Sequence, residues 1–361
     1  MTQTKFITWF HNEFVFDRLF TRMADMMENS PWHREKSIGI HTRMVVGEYL
    51  SRAPFDWDHN VMLGAFACAF HDVGKPEVRT EKHSEARGVY YSYGGHEIAS
   101  ARLWEDWAAR NWTQLVFDFH FNADDLYAVT WMIEHHRPWG LIKHDKRAAL
   151  WHTAKATVGL DVYLNLLISD NFGRIGDTQD VNRQQVLDWV EDFTKMDLLD
   201  QEVVSDDAPV LYMAIGPSGS GKSTFSKKLN NIDTFSWDDL RLEWYKADTY
   251  AEAFKVACAD SEFMSKANTL FIQMVKGGKD LYVDNTNLSA KRRRFFIDVA
   301  RRNGYKIVGV TFPITLAAVV SRQSTRDDKM VPYNTVRNQF MCVQQPQYGE
   351  VDQVVVCGSN L

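Results

Sequence analysis

The stretch Gly216-Pro217-Ser218-Gly219-Ser220-Gly221-Lys222-Ser223-Thr224 leaves a chain few ways to fold around it. The apolar run Val210 to Ile215 precedes it and Phe225-Ser226-Lys227-Lys228-Leu229 follows, so a buried strand delivers a glycine-rich turn onto the start of a helix. Gly216, Gly219 and Gly221 let backbone N–H groups close around phosphate oxygens, together with Ser218, Ser220 and Thr224, and the helix N-terminus adds positive potential. In that setting Lys222 reaches the β- and γ-phosphates of ATP or another NTP, and the Ser223 hydroxyl goes to Mg2+. A chance glycine turn does not explain why the full GxxxxGKS spacing, the strand and the helix occur together.

The rest of 209–361 alternates strands and helices. Thr234-Phe235-Ser236 reads as a short strand ending at Trp237-Asp238-Asp239-Leu240-Arg241, and a helical segment covers 250–276. Asp280 to Val283 is another strand, ending at Asp284-Asn285-Thr286-Asn287. A helix over 289–303 leads through Gly304 into a strand from Lys306 to Phe312, and Asp352 to Val356 is the last strand. This alternation predicts a parallel sheet covered by helices, with the active site at the strand carboxyl ends. Arg322 and Arg326 stand at i and i+4, so on a helix both guanidinium groups project from one face, suited to a basic lid over a γ-phosphate. The plainer alternative is an exposed pair balanced by Asp327 and Asp328.

At 361 residues the chain is long enough for roughly two domains. Hydrophobic residues at 45% and charged residues at 24% describe a soluble globular protein. No apolar run approaches the ~20 residues of a membrane span, and the first residues lack the basic region and cleavage site of a signal peptide. A cytoplasmic protein with no membrane partner is expected. Cys68, Cys258, Cys342 and Cys357 have no CxxC spacing and read as core residues in a reducing compartment. A net charge of −6 gives no global sign of nucleic-acid binding, so a polynucleotide would need a local groove. Lys291-Arg292-Arg293-Arg294 with Arg301-Arg302 is a candidate, against the commoner reading of a solvated helix face.

Residues 1–35 place Trp9, Phe10, Phe14, Phe16 and Phe20 at near-helical spacing, predicting an amphipathic helix broken at Ser30-Pro31-Trp32-His33. A second helix runs from His41 to Leu50. A third, apolar over residues 61–70, runs into His71-Asp72-Val73-Gly74-Lys75-Pro76. A His-Asp pair at the end of a buried helix must be paired or metal-bound. Gly94-Gly95-His96-Glu97, Glu134-His135-His136 and Ile168-Ser169-Asp170 follow, each on or beside a helical segment, as for a metal site inside a bundle. His11, His33, His59, His83, His120, His144 and His152 have no motif context and read as structural or surface residues. A helical pattern over Val181 to Leu199 leads to a polar stretch ending at Pro209, where the domain boundary is expected.

The order His41, His71-Asp72, His96, His135-His136, Asp170 resembles the HD-domain metal-dependent phosphohydrolase family. Its HDxGK form and the closing Asp170-Asn171-Phe172-Gly173-Arg174 look most like the HD domains joined to RNA end-processing and tRNA nucleotidyltransferase enzymes. The resemblance implies that His41, His71, Asp72 and Asp170 hold one divalent ion, and that Asp72 bridges to a second held by His96, His135 and His136. Imidazole and carboxylate suit Mn, Fe, Co, Ni or Zn. Such metals activate a water for phosphoester hydrolysis, with Lys75 at the substrate phosphate.

The glycine loop, Asp238-Asp239-Leu240-Arg241, Asp284-Asn285-Thr286-Asn287-Leu288 and Arg322-x-x-x-Arg326 followed by Val331-Pro332 resemble the phage-type 5′-polynucleotide kinase family. That implies Asp238 as general base for a 5′-hydroxyl, Arg241 as a substrate-phosphate contact, and Arg322 and Arg326 at the donor phosphates. Trp237 stands where the phage enzymes have an arginine, and packing is the expected role. The whole is similar to bacterial HD–kinase RNA end-healing enzymes. The expected architecture is therefore an N-terminal all-α HD bundle over 1–200, a linker over 201–208, and a C-terminal α/β P-loop kinase domain over 209–361. The expected partners are RNA or DNA ends, a nucleoside triphosphate and a downstream RNA ligase. Two alternatives stay open: a nucleoside or metabolite kinase fused to a nucleotide phosphohydrolase, and a kinase carrying a catalytically silent nucleic-acid-binding module.

Overall fold

The computed structural model describes residues 3–358 apart from 29–32, 34, 55, 86–87, 139–143, 177–178, 197–204, 206, 230–231 and 327–328. Most of the linker expected at 201–208, the break at Ser30-Pro31-Trp32, and Asp327 with Asp328 lie outside the described residues. The chain divides into two compact units, Met1–Leu199 and Asp200–Leu361.

The first unit is helical. In order come α1 (Gln3–Phe16), α2 (Arg18–Ala24), α3 (Ile38–Arg52), α4 (His59–Phe70) and α5 (Lys75–Val78), then β1 (Thr80–Ser84) and β2 (Gly88–Ser92). There follow α6 (His96–Arg110), α7 (Trp112–Phe119), α8 (Ala123–Glu134), α9 (His144–Thr157), α10 (Leu160–Phe172) and α11 (Gln179–Thr194). The single helix expected across the first residues is two. Asp17 interrupts it by capping α2, one carboxylate oxygen accepting the Leu19 N–H at 2.7 Å and the other the Trp107 indole N–H at 3.1 Å. Phe6, Trp9, Phe10, Phe14 and Phe20 are buried, whereas Phe16, beside the break, is 82% exposed.

α4 is the centre of this unit. Asp58 caps it by accepting the Val61 N–H, and every residue from Val61 to Phe70 is buried, so the helix is apolar all round. It packs against α3, α8 and α10, with Trp104 and Trp131 of the neighbouring helices fully enclosed. Rings of this size bury ~150–250 Å² each and dominate such a core. The expectation of an all-α unit is corrected by the antiparallel hairpin β1–β2, paired from Thr80↔Ser92 to Ser84↔Gly88. Its strands are mostly exposed, so they carry no apolar alternation by which a sequence would declare them.

The second unit contains β3 (Val210–Ile215), α12 (Lys222–Ser226), β4 (Asp233–Phe235), α13 (Trp237–Tyr245), α14 (Tyr250–Ala259), α15 (Phe263–Lys276) and β5 (Leu281–Val283). α16 (Ala290–Arg302), β6 (Lys306–Thr311), α17 (Leu316–Gln323), α18 (Tyr333–Met341) and β7 (Gln353–Val356) complete it. The five strands pair in parallel in the order β4-β5-β3-β6-β7. β3 is therefore covered on both faces, Leu211, Met213 and Ile215 in one apolar cluster and Ala214 in another, which is why it reads as an uninterrupted apolar run. The helix expected over 250–276 is broken at Asp260, whose carboxylate caps the Glu262 N–H at 2.8 Å and accepts the Tyr245 hydroxyl at 2.7 Å. Among the described residues no helix is long and apolar enough to cross a membrane.

Candidate functional sites

Five helices of the first unit deliver side chains to one buried point. His41 comes from the first turn of α3, His71 and Asp72 from the C-terminal end of α4, and His96 from the first residue of α6. His136 follows the end of α8, and Asp170 comes from the last turn of α10. All six are at most 2% exposed. His41 Nε2 lies 3.2 Å from Asp170 Oδ1 and 3.5 Å from Asp72 Oδ2, and His71 Nε2 lies 3.2 Å from Asp72 Oδ2. On the other side Asp72 Oδ1 is 3.2 Å from His96 Nε2 and 4.0 Å from His136 Nε2. Two groups of ligand-bearing residues result, His41-His71-Asp170 and Asp72-His96-His136, with the Asp72 carboxylate facing both.

The outer nitrogens fix what this arrangement holds. Nδ1 of His41, His71, His96 and His136 lies 2.7–3.1 Å from the carbonyls of Gly173, Cys68, Tyr93 and Ile133, acceptors that require Nδ1 to carry a proton. Nε2 then points inward in every case. Yet His41 Nε2 meets His71 Nε2 at 3.3 Å, and His96 Nε2 meets His136 Nε2 at 3.3 Å. Neutral rings would set lone pair against lone pair; a shared cation, proton or metal, removes the conflict. Burial holds His41 down at about 4 and His136 well below its ordinary value, so both are neutral donors at pH 7. For His71 burial opposes protonation, but the Asp72 and Asp170 carboxylates outweigh it and raise the pKa, as expected where a pocket attracts a cation. Four imidazoles and two carboxylates, with second nitrogens anchored on carbonyls, fit divalent transition metals.

His135, expected to join this set, is not brought to it. α8 ends at Glu134, so the adjacent histidines diverge: His135 Nδ1 turns to the Trp131 carbonyl at 2.9 Å, and its ring stacks on Trp131. His136→Gln is therefore expected to lower bound metal by at least about tenfold in affinity, while His135→Gln retains it, as measured by elemental analysis after dialysis. Lys75 is also placed differently from its expected role at a substrate phosphate. It is buried, with Nζ 2.9 Å from Asp72 Oδ2 and 3.0 Å from Glu28 Oε1, so both carboxylates already neutralise it.

The sequence reading missed Glu28, Glu35, His33 and Arg174. Glu35 Oε1 lies 2.6 Å from His33 Nδ1 and 3.4 Å from His41 Nδ1, and Arg174 pairs with Asp170 Oδ2. Only Arg174, four residues after Asp170 and just beyond the end of α10 at Phe172, left a spacing signal. Gly74 is needed for space, since a Cβ there would sit 2.3 Å from the Ser100 backbone nitrogen and 2.7 Å from the Ala99 carbonyl carbon. Gly74→Ala is expected to destabilise this unit by about 1–3 kcal/mol in urea unfolding, because α6 must move away from the His71-Asp72 turn.

In the second unit the glycine loop joins β3 to α12 at the carboxyl edge of the sheet. Gly219 and Gly221 have φ of 92° and 108°, values that side chains other than glycine rarely adopt. Lys222 is buried; its Nζ donates to the Gly216 carbonyl at 3.1 Å and the Pro217 carbonyl at 2.8 Å, and burial lowers its pKa to about 8. Asp284, at the end of β5, hydrogen-bonds Ser223; burial raises its pKa against that bond and the Lys222 charge. The loop is braced from α17 and α18, where the Gln323 amide donates to the Ser218 carbonyl at 2.8 Å and Gln339 Oε1 accepts the Ser218 N–H at 2.9 Å. Neither glutamine belongs to a motif, so nothing in the sequence marked them.

Asp238 lies in the first turn of α13, with its side chain 43% exposed. Its Oδ1 accepts from Arg241 Nη1 at 2.7 Å and from the Tyr250 hydroxyl of α14 at 2.5 Å. Arg241 is 13% exposed and flanked by the rings of Phe254 and Phe263. Trp237 packs on Phe296, centroids 5.8 Å apart.

Residues 211–346 match a family model described as an AAA domain. A protein of Autographa californica nuclear polyhedrosis virus, named as a bifunctional polynucleotide kinase/RNA ligase, is 28% identical over 140 residues, 36% of this chain and 20% of that one. The chain thus spans about a fifth of the length of this relative. A gluconokinase from Sinorhizobium meliloti 1021 aligns over 42% of this chain and 84% of its own, at 16% identity and a TM-score of 0.29. A structure from Chloroflexus aurantiacus J-10-fl, described as a kinase, aligns over 42% and 86%, at 12% identity and a TM-score of 0.32. The family match and the viral relative support a P-loop kinase.

A P-loop kinase domain implies ATP and Mg2+, and the loop, Lys222, Ser223 and Asp284 are the residues in place for them. The expectation that Arg322 and Arg326 share a helix face is corrected, because α17 ends at Gln323 and leaves Arg326 beyond it. The two still reach the loop separately. Arg322 Nη1 donates to the Gly219 carbonyl at 3.3 Å, while Arg326 acts on Lys222 electrostatically and has its buried Nη1 without a hydrogen-bond partner among the described residues. The basic cluster of α16 is not one surface: Arg293 is fully buried, bound by Glu350 and the carbonyls of Asn287 and Gln344, whereas Lys291, Arg292 and Arg294 are exposed.

Proposed function

We propose that the chain heals broken RNA ends with two active sites, an HD-type phosphohydrolase in the first unit and a 5′-polynucleotide kinase in the second. What carries the hydrolase reading is the convergence of four imidazole Nε2 atoms and two carboxylates at a point where two pairs of lone pairs collide without a cation. For the kinase, support comes from the glycine loop and the exposed Asp238 carboxylate, together with the viral relative's name.

At the kinase site the acceptor's 5′-hydroxyl oxygen attacks the γ-phosphorus, the bond to the β-bridging oxygen breaks, and the departing proton goes to Asp238. Tyr250 and Arg241 both hold Oδ1, leaving Oδ2 for that proton. Lys222, Arg322 and Arg326 counter the charge on the transferring group. In the first unit, His41, His71, Asp72 and Asp170 would hold one divalent ion, and Asp72, His96 and His136 would hold a second. A divalent ion held by these residues would supply an acidified water and charge stabilisation for phosphoester hydrolysis. The protein's part is to fix ligand directions through the four carbonyl-anchored Nδ1 atoms and to keep the pocket closed. A 2′,3′-cyclic phosphate is opened and a 2′-phosphate removed, giving, with the kinase, the 5′-phosphate and 3′-hydroxyl that an RNA ligase joins.

The test is a product map on an oligoribonucleotide with a 5′-hydroxyl and a 2′,3′-cyclic phosphate, given ATP and Mg2+ with Mn, Fe, Co, Ni or Zn. Both ends are expected to change. Phosphorylation of free nucleosides with both oligonucleotide ends intact would make this a small-molecule enzyme. Intact RNA binding with no tightly bound metal would make the first unit a silent module.

A further inference from the structure

Beside the metal-binding cluster, α5 from Lys75 to its C-cap Arg79 and the end of β2 with the following Tyr93 form a two-rung stack. Lys75 Nζ lies 5.3 Å from the centre of the Tyr93 ring, and Arg79 Cζ lies 3.5 Å from the centre of the Tyr91 ring. The cations are four residues apart on a helical turn and the rings two apart on an extended strand, steps of about 6 Å in both cases, so the rungs stay in register. The inner rung belongs to the site: Lys75 pairs with Asp72, and the Tyr93 carbonyl anchors His96 Nδ1.

Two donors here have no use within the fold. The Tyr93 hydroxyl and Arg79 Nε are buried and lack a hydrogen-bond partner among the described residues. A buried unmet donor is a group that a bound acceptor would satisfy. Lys75 is neutralised by Asp72 and Glu28, whereas Arg79 Nε has no hydrogen-bond partner among the described residues. Guanidinium and hydroxyl together suit the non-bridging oxygens of a phosphodiester.

Resting on the hydrolase reading above, we propose that Arg79 and Tyr93 form a strand-binding subsite of the first unit, gripping the internucleotide phosphodiester adjacent to the terminal phosphate processed at Asp72. A mononucleotide has no such phosphodiester. The subsite therefore makes the unit prefer a polynucleotide end over a free nucleotide.

Wild type, Arg79→Gln and Tyr93→Phe are compared on a dinucleotide ending in a 2′,3′-cyclic phosphate and on the mononucleoside 2′,3′-cyclic phosphate. Metal content is measured for each protein. The dinucleotide-to-mononucleotide ratio of kcat/KM is expected to fall about tenfold in each variant, through KM, with metal content held. An unchanged ratio overturns the subsite, as does an equal loss on both substrates, which would make Tyr93 only a support for His96. Calorimetric binding of a 5′-phosphorylated dinucleotide 3′-phosphate, against the corresponding mononucleotide, separates this from the hydrolase reading. If wild type hydrolyses neither substrate that reading fails, while a dinucleotide-specific loss of binding in Arg79→Gln still supports the subsite and its absence overturns it.

Discussion

Asp72→Ala is expected to abolish 3′-end hydrolysis, by at least about 100-fold, and to release metal from the first unit while 5′-phosphorylation continues. The Asp72 carboxylate alone faces both ligand groups, with Oδ2 toward His41 and His71 and Oδ1 toward His96 and His136. Partners that merely orient a ligand already change metal affinity by ~10–100-fold, and a bridging ligand sits one step closer. The substitution also leaves Lys75 with Glu28 as its remaining carboxylate, and a buried charge stripped of a partner costs about 3–5 kcal/mol. Asp72→Asn separates the two effects: it keeps the volume but not the negative charge, so it should lose metal with less structural damage. Helical circular dichroism of the variant reports whether the largely helical first unit remains folded, and kinase activity reports the same for the second. Asp72→Ala protein with full metal content and undiminished hydrolysis would remove Asp72 from the bridging role.

The legible parts of the site were those carried by helix ends. His71-Asp72 could be read because α4 is apolar on every face, so whatever follows it enters the interior, and His41 and Asp170 because their segments pack against it. His136 could not be separated from His135, since that choice depends on α8 stopping at Glu134: both Nδ1 atoms turn to carbonyls of α8, Trp131 for His135 and Ile133 for His136, and it is the His136 Nε2 that then faces His96 and Asp72. Glu28 and Glu35 come from irregular chain, where no periodicity relates a residue to its partner; their ionic contacts to Lys75 and His41 are decided by the tertiary fold. The hairpin was missed for the opposite reason: its strands are exposed and bury no face. In the second unit the central strand and loop were legible from β3 alone, because a strand packed on both faces must be apolar on both. Arg322 and Arg326 show the limit of spacing arguments, since i and i+4 share a face only while the helix lasts.

Lys222→Ala is expected to reduce 5′-phosphorylation by about 100-fold or more and to leave 3′-end hydrolysis intact. The Nζ bonds to the Gly216 and Pro217 carbonyls hold the ammonium inside the loop, where phosphate oxygens compete for it as far stronger acceptors. The lost interaction is therefore one made with the nucleotide, and little of the fold depends on it: burial already penalises this ammonium, and its partners are two neutral carbonyls of its own loop. An unfolding midpoint within a few degrees of wild type should accompany the loss of activity. Lys222→Arg should not rescue it, because a planar fork cannot replace a compact ammonium in the buried place where Nζ meets the Gly216 and Pro217 carbonyls. The decisive reading is the pair of products on one RNA. A variant that still opens the cyclic phosphate but leaves the 5′-hydroxyl unphosphorylated assigns the two ends to two independent sites. Joint loss of both activities would mean that the units do not act separately, and the two-site reading would fall with it.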